Sequence, residues 1–269
     1  MSEEKYSFSR LESFHNCKRG YYNTYILKNR GGDNIYSFLG TVCHELTQNI
    51  IQGKETNIGA IEKFKDSIEL ADILGLIWIS DKVKSNYTEC ITHFFENFKP
   101  TKGDDIKIEQ YFETDIQGIT IRGYIDLCYF SNGELHIIDL KTSSKYSAKD
   151  MIHKQRQLIL YAYALEKQYP DIPIKIYFNM LKYATRKGKI VERNKLDLLD
   201  ECTDGLIEIK YNNDMKLDLE NYVDETFRAI TLTEKDDINN WKMGYNPYTG
   251  FFCKHLCSYR GTCMSGYTS

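Results

Sequence analysis

Two aspartates and a lysine lie on the two strands of one predicted hairpin. The segments "ITIRGYIDLCYF" and "ELHIIDLKT" alternate as strands do, and Asn132 and Gly133 between them are typical of a two-residue type I′ turn. The numbers of cross-strand partners around this turn add up to 265, which places Asp126 opposite Asp139. Because successive side chains of a strand alternate between faces, Lys141 shares the face of Asp139. The hairpin therefore predicts a pocket with two carboxylates and an ammonium group.

A second predicted hairpin adds a third acid to this row. The segment "DIKIEQYFETDI" reads as a strand, and Gln117 and Gly118 after it predict another short turn. Partners around this turn add up to 235, which places Glu109 opposite Asp126. Opposed like charges, about 5 Å apart, destabilise a sheet, so the row predicts a divalent metal ion. The alternative is a solvated sheet face, which the isoleucines beside Asp126 and Asp139 disfavour.

The last part of the sequence has three cysteines within eleven residues. Cys253, Cys257 and Cys263 suit thiolate ligands of zinc or of an iron–sulfur cluster, although such sites normally use four ligands. Ligand type alone does not separate these metals, and three buried cysteines without a metal are another alternative. Four further cysteines lie in helical or strand patterns, where we expect packing roles. These are Cys43, Cys90, Cys128 and Cys202.

The spacing of apolar residues predicts helices first, then a three-strand antiparallel meander, then a helix and a strand. Ser9, three residues before Glu12, has the pattern of a capping box and predicts the start of the first helix. Further helices are expected over 37–52, within 56–98 and over about 147–168. The strand "IKIYFNMLKY" follows the last helix. This order predicts a mixed α/β fold.

Composition limits the class of protein. The chain has 269 residues, 42% of them hydrophobic, and its net charge of −3 argues against a generally basic, nucleic-acid-coating protein. The longest apolar run, 73–79, is far shorter than the roughly 18 residues of a membrane-spanning helix. The first residues lack the pattern of a signal peptide, so we expect a cytoplasmic protein whose cysteines are reduced or bind metal.

Four motifs, in this order, resemble those of the PD-(D/E)XK nucleases, and in particular their RecB-like exonuclease branch. The motifs are Gly-x-x-x-His (Gly40, His44), Gly-x-x-Asp (Gly123, Asp126), Asp-x-Lys (Asp139, Lys141) and Gln-x-x-x-Tyr (Gln157, Tyr161). The opening "SFSRLESFHNCKRGYY" and the terminal cysteines are similar to the iron–sulfur members of this branch. Those members include the CRISPR adaptation nuclease and the AddB subunit of bacterial end-resection enzymes.

This resemblance implies a restriction-endonuclease-like core with a metal-dependent nuclease site. The implied ligands of Mg²⁺ or Mn²⁺ are His44, Asp126, Asp139 and the backbone carbonyl of Leu140. Lys141 would orient or deprotonate the attacking water. Glu109 is a further candidate catalytic residue, and it rests mainly on the hairpin arithmetic rather than on the resemblance. Gln157 and Tyr161 lie one helical turn apart, so both would face the substrate strand or Lys141.

The resemblance also implies that Cys17 supplies the fourth thiolate. In the iron–sulfur members one cysteine from the first helix joins three near the C-terminus, which here would hold a 4Fe-4S cluster. A structural Zn²⁺ ion is the alternative. The three residues between Cys253 and Cys257 depart from the two that are common in related sequences.

A basic segment follows the last predicted strand. Residues 182–195, "KYATRKGKIVERNK", carry six lysines and arginines against one acid, and we expect a hairpin there. We name it the hairpin basic segment. Such a run is usually a solvated turn, but beside a nuclease pocket it would follow a phosphate backbone. Arg186, Lys187 and Lys189 are the candidate DNA contacts, and Tyr183 would stack on bases.

We expect one nuclease domain over 1–269, with a core at about 37–183 and a helical insert at 53–104. Residues 217–269, with the segment around Cys17, would form the iron–sulfur region. The expected function is a metal-dependent DNA exonuclease acting at ends or in single strands, in recombination, repair, or CRISPR or phage DNA processing. The alternatives are a structure-specific or nicking endonuclease and a non-cleaving DNA-binding subunit. Since the sequence has no Gly-x-x-x-x-Gly-Lys-Ser/Thr loop, a helicase or recombination partner would supply any motor.

Overall fold

The computed structural model describes residues 5–29, 31–100, 102–197, 200–233, 235, 237–244, 250–260 and 263. The chain divides into two compact units. One contains 1–34, 111–123 and 213–269, and the other contains 35–110 and 124–212. The single nuclease domain expected over 1–269 stays a prediction. Within the described ranges, no helix is both long enough and apolar enough to span a lipid bilayer.

The helices and strands confirm the mixed α/β class. In chain order they are α1 (Phe8–Asn16), α2 (Lys18–Tyr21), α3 (Ile35–Ile51), α4 (Asn57–Ile73), α5 (Asp81–Asn97), β1 (Asp104–Ile116), β2 (Ile119–Ser131), β3 (Glu134–Lys141), α6 (Ala148–Glu166), β4 (Ile174–Arg186), β5 (Lys189–Glu192), β6 (Thr203–Ile209) and α7 (Asn213–Leu232). The expected elements are present, and β6 and α7 occupy a region where we expected none.

The first unit packs its helices around aromatic side chains. The cap of its first helix lies two residues before the expected Ser9, because the hydroxyl of Ser7 accepts the amide hydrogen of Arg10. Tyr21 in α2 stacks on the fully buried ring of Trp241, with ring centroids 5.7 Å and planes 5° apart. This stack fixes the helix that directly follows Cys17.

The second unit buries helices α3, α4 and α5 against one face of the sheet. Leu39, Phe64 and Phe94 are fully buried and belong to one apolar cluster with residues of β2, β3 and β4. Trp78, in the loop between α4 and α5, packs at the edge of this cluster, and its ring lies 5.5 Å from that of Tyr87. The cluster holds α3 against the end of β3.

Within the described residues the strands form a six-stranded sheet with the order β1-β2-β3-β4-β5, and β6 pairs with β4. β3 and β4 are parallel and are connected by α6, whereas β2–β3, β4–β5 and β4–β6 are antiparallel pairs. The parallel register places Asp139 beside Phe178 and Lys141 beside Met180. The acid and the lysine therefore stand at the C-terminal end of β3, where the chain leaves the sheet towards α6.

Three hairpins turn through residue pairs with left-handed backbone. The φ angles are 54° at Gln117, 82° at Gly118, 52° at Asn132, 78° at Gly133, 48° at Lys187 and 72° at Gly188. Positive φ at both central residues is type I′ geometry. Leu127 pairs with Ile138, so the predicted sum of 265 between β2 and β3 is confirmed. The paired residues of this ladder end at Leu127 and Ile138, directly beside Asp126 and Asp139.

A buried arginine connects the end of β4 to β6. The side chain of Arg193 is 1% exposed, and its Nε donates to the backbone oxygen of Tyr183 at 2.8 Å. A terminal nitrogen lies 3.2 Å from the carboxylate of Asp204. Burial raises the pKa of Asp204, and the charge of Arg193 offsets part of this rise. Removing the guanidinium would leave a carboxylate in a mostly buried position without its cation.

We predict that Arg193→Ala lowers the free energy of unfolding by about 3–5 kcal/mol, because it removes a fully buried side chain that hydrogen-bonds Tyr183 and leaves the half-buried Asp204 carboxylate without its cation. Urea denaturation measures this change. The matched control is Lys195→Ala, which removes an exposed cation whose amine lies 2.7 Å from Glu192, and which should leave stability unchanged. Equal effects of the two substitutions would contradict the role of Arg193.

Candidate active site and cysteine-lined cavity

Helix α3 places His44 beside the first carboxylate. Gly40 lies one turn before His44, and a Cβ atom there would come within 3.3 Å of the Thr142 hydroxyl, so the glycine permits close packing on the end of β3. The Nδ1 atom of His44 is 3.6 Å from the Oδ2 atom of Asp126. A hydrogen bond also joins His44 to the backbone of Leu140. Imidazole, carboxylate and backbone carbonyl thus meet at one point.

The two aspartates share a largely buried pocket. Asp139 is 1% exposed, and the Oδ2 atom of Asp126 accepts the backbone N–H of Leu140 at 2.8 Å. Burial, and next the negative charge of Asp139, raise the pKa of Asp126. Burial lowers the pKa of His44, which favours the neutral imidazole that binds metals. The pocket therefore disfavours a second negative charge unless a cation neutralises it.

Lys141 provides the positive charge of this pocket. Its Nζ atom lies 2.7 Å from the Oδ2 atom of Asp139 and donates to the Oε1 atom of Gln157 at 3.1 Å. Burial lowers the pKa of Lys141, but the charge and hydrogen bond of Asp139 outweigh this and raise it above its ordinary value. The amine is therefore protonated at neutral pH. It acts as a fixed cation between strand β3 and helix α6.

Helix α6 continues this chain of hydrogen bonds. The Nε2 atom of Gln157 donates to the hydroxyl of Tyr161 at 2.6 Å, so one amide connects Lys141 to Tyr161. Burial raises the pKa of Tyr161 well above its ordinary value, and the charges of Asp139 and Asp126 add to the rise. The tyrosine therefore stays neutral. Both residues expected to face Lys141 or the substrate lie next to the lysine network.

Glu109 reaches the site through an irregular strand. Its φ angle is 50°, in the left-handed region, so the regular alternation that predicted its pairing with Asp126 is interrupted here. The Nε2 atom of Gln48 donates to the Oε1 atom of Glu109 at 2.5 Å. The charge of Glu109 contributes to the raised pKa of Asp126, which places it within electrostatic range. Gln48 was not predicted, although it follows His44 by one helical turn.

The donor atoms of this site suit a divalent cation. Two carboxylates, an imidazole and a backbone carbonyl are the oxygen and nitrogen ligands that Mg²⁺ and Mn²⁺ accept. In the part of the chain that the structure describes, however, no three His, Cys, Asp or Glu side chains are already arranged to hold a metal ion. The amine of Lys141 lies against Asp139 instead. The residues fit the metal by type, and binding would rearrange their side chains.

The hairpin basic segment is less positive than its composition suggests. Lys187 and Lys189 lie exposed at the β4–β5 turn, whereas Arg186 makes an ion pair with Asp200 at 2.6 Å. The ring of Tyr183 is 9% exposed, and its hydroxyl accepts the backbone N–H of Lys145 at 3.1 Å. The expected stacking of bases on Tyr183 does not fit this burial.

In the first unit, Cys17 and the three terminal cysteines line one cavity of about 340 Å³. The sulfur of Cys17 accepts the N–H groups of Gly20 and Gly244 at 3.4 Å each, and the sulfur of Cys257 accepts that of Tyr259 at 3.4 Å. These bonds would stabilise negative charge on sulfur. Cys17, which lies 236 residues before Cys253 in the sequence, therefore lines the same cavity as its three expected partners.

The four cysteines lie within electrostatic range of one another. Burial, and then the charge of neighbouring thiols including Cys17, raise the pKa values of Cys253, Cys257 and Cys263. No preformed ligand group of three such side chains occurs over the described ranges. The four cysteines expected to pack elsewhere are buried or half-buried. They are Cys43, Cys90, Cys128 and Cys202.

The family follows from a match that runs almost from end to end. A family model for the PD-(D/E)XK nuclease superfamily matches residues 5–264, so the chain belongs to this superfamily. Such nucleases usually use divalent metals such as Mg²⁺, and membership implies a DNA substrate. Among curated proteins, none matches this chain.

Two solved structures are similar to this chain at low sequence identity. One, named "Putative exonuclease", from Eubacterium rectale, has 13% sequence identity and a TM-score of 0.49, and the alignment covers 99% of this chain and 94% of that one. The second, SSO0001, has 16% identity and a TM-score of 0.31 over 92% of this chain and 94% of that one. Both scores lie below 0.5, so the assignment rests on the family match.

The hydrogen bond between Gln157 and Tyr161 should make the effects of these two residues on stability depend on each other. We expect Gln157→Leu and Tyr161→Phe to show a coupling of about 0.5–3 kcal/mol in a double-mutant cycle, because each removes the other's partner in a buried position. The free energies of unfolding of the wild type, both single variants and the double variant supply the cycle. Additive effects would show that the amide and the hydroxyl do not depend on each other.

Proposed function

We propose that this protein is a metal-dependent DNA exonuclease that hydrolyses phosphodiester bonds at DNA ends or in single strands. The observation that carries the proposal is the half-buried Lys141 amine, which bridges Asp139 and Gln157 beside the Asp126–His44 pair. A lysine held among carboxylates at a strand end suits phosphoryl chemistry, in which charge must be neutralised as it develops. Family membership supports the same reaction class.

Each residue of the pocket has a proposed role. His44, Asp126, Asp139 and the Leu140 carbonyl would hold Mg²⁺ or Mn²⁺, which would lower the pKa of a bound water and offset charge on the phosphate. Lys141, with its raised pKa, would keep its proton, orient the water and donate to a phosphate oxygen. Its charge rather than its basicity is then the useful property.

The substrate strand would contact residues on both sides of Lys141. Gln157 would hold the ammonium group towards the phosphate while Tyr161 fixes the amide of Gln157. Glu109, held by Gln48, would add negative charge at the metal side of the pocket. Further from the pocket, the proposed phosphate contacts are Arg186, Lys187 and Lys189. Arg186 would have to leave Asp200 to contribute.

The cysteine-lined cavity would hold a 4Fe-4S cluster. Support comes from four cysteines around one cavity of about 340 Å³ and from N–H groups directed at the sulfurs of Cys17 and Cys257. Cluster binding would draw the thiols inward and join the two ends of the chain. A structural Zn²⁺ ion is the competing occupant, because four thiolates suit either.

The proposed setting is cytoplasmic DNA processing in recombination, repair, or CRISPR or phage pathways. A helicase or recombination partner would present the DNA end, since the sequence carries no phosphate-binding loop of a motor. End-labelled linear DNA and closed circular DNA of the same sequence test the mode of attack. An exonuclease degrades only the linear form, and cleavage of circular single strands would instead indicate an endonuclease.

The catalytic prediction concerns the pocket. Asp126→Ala, Asp139→Ala and Lys141→Ala should each abolish cleavage, a loss of more than about a hundredfold, because each removes a metal ligand or a charge used in the transition state. The assay measures release of labelled nucleotide with Mg²⁺, with Mn²⁺ and with chelator. Lys175→Ala, which removes an exposed lysine paired with Glu208, is the control and should cleave normally. Full activity of Lys141→Ala with Mn²⁺ would refute the assignment.

The cluster prediction concerns the thiols. Protein purified without oxygen should be brown and contain about four iron and four sulfide per chain. Cys17→Ser should lose the colour and the iron as Cys257→Ser does, although the two positions are far apart in sequence, whereas Cys202→Ser should keep both. Colourless protein with one zinc per chain would indicate the competing occupant, and undiminished iron in Cys17→Ser would place the fourth ligand elsewhere.

A further inference from the structure

We infer that a second basic surface, next to the catalytic lysine, guides the phosphate backbone of the substrate strand into the pocket. It consists of residues 145–156, which we name the α6 basic segment. The inference deepens the proposed nuclease function and rests on it. Three observations carry it: the local charge, the exposure of half of helix α6, and direct continuity with the lysine network.

The charge of the α6 basic segment is opposite to that of the chain. It contains Lys145, Lys149, Lys154 and Arg156 against a single acid, Asp150. With His153 neutral, this gives a net charge of +3, and because the whole chain has −3, the remainder carries −6. Positive charge is therefore focused on a short stretch of an otherwise acidic protein. Such focusing attracts a polyanion to one place on the surface.

Half of helix α6 lies outside the core. The buried residues of α6 begin at Leu158, whereas Lys149, Asp150, Ile152 and His153 are exposed. The stretch 148–156 covers about 13 Å of helix. Lys149, on the first turn of the helix, is therefore accessible to a ligand.

The segment is anchored and continuous with the active site. The backbone N–H of Lys145 donates to the buried hydroxyl of Tyr183 at 3.1 Å, and the amine of Lys182 donates to the hydroxyl of Ser144 at 3.2 Å. At its other end the segment meets Gln157, which accepts from Lys141. The lysines thus stand on a pinned loop and a regular helix that lead directly to the catalytic cation.

The single acid of the segment has a local role. The hydroxyl of Ser147 donates to the carboxylate of Asp150 at 2.6 Å and accepts its amide hydrogen, so this acid is engaged at the start of the helix. In the hairpin basic segment, acids of the fold hold both arginines: Arg186 pairs with Asp200, and Arg193 is buried with Asp204. In the α6 basic segment, Lys145 and Lys149 are exposed, which suits contact with a phosphate backbone.

The test compares Lys145→Gln/Lys149→Gln with Lys65→Gln/Lys82→Gln, all in the full-length protein. Both pairs remove two exposed lysines, and the control lysines lie on α4 and α5. Binding of a fluorescein-labelled oligothymidylate is measured without divalent metal over a series of salt concentrations, so cleavage does not affect the result. The first pair should lower the slope of log affinity against log salt by about 1.4, or 0.7 per phosphate contact, and the control pair should leave it unchanged.

The outcomes separate this inference from the proposed nuclease activity. The inference is wrong if both variant pairs keep the wild-type salt slope or if both pairs lower it equally. It is also wrong if the wild-type protein does not bind the oligothymidylate. Each of these outcomes holds whatever the cleavage assay shows. If the Lys145→Gln/Lys149→Gln protein loses binding to phosphatidylserine vesicles while its DNA binding is unchanged, the segment contacts a membrane surface and the inference is wrong. Failure of wild-type cleavage with Mn²⁺, beside the expected slopes, would refute the nuclease function and leave the surface as a DNA contact. Unchanged melting temperatures show that each variant is folded.

Discussion

The ion pair between Lys141 and Asp139 is the interaction on which the rest of the site depends. Two carboxylates share a buried pocket, and burial together with their mutual repulsion raises the pKa of Asp126. An ammonium group 2.7 Å from Asp139 neutralises part of that charge. Because Gln157 accepts from the same ammonium group, the position of helix α6 is coupled to the charge of the pocket. The charge of the pocket and the position of helix α6, which connects β3 to β4, therefore constrain each other.

Helix α3 supplies further residues of the same site. Gly40 permits its approach to the end of β3, and the following two turns present His44 and Gln48 on one face. Gln48 holds Glu109, whose left-handed backbone costs on the order of 1–3 kcal/mol for a residue with a side chain. Strain of this kind persists where the surrounding structure fixes it, and here it aims a third acid towards the pocket.

Local rules predicted the framework of the site but not its exceptions. The turn at Asn132 and Gly133 fixes the β2–β3 register, since a two-residue turn leaves one pairing scheme. The same arithmetic did not foresee the irregular backbone at Glu109, because alternation assumes a regular strand. Nor did composition reveal that Arg186 pairs with Asp200, a contact formed only by the fold. Strand β6 and helix α7 lie in a region for which the sequence patterns predicted no elements, and they became evident only in the structure.

The two tryptophans have a further consequence, because each compact unit contains one. Trp241 stacks on Tyr21, four residues from Cys17, while Trp78 packs with Tyr87 in the other unit. Their rings sit in different surroundings and would emit fluorescence independently. A chain with either ring replaced by phenylalanine would carry a built-in optical reporter for one unit alone. Unfolding around the cysteine-lined cavity is then separable, by light, from unfolding around the acidic pocket.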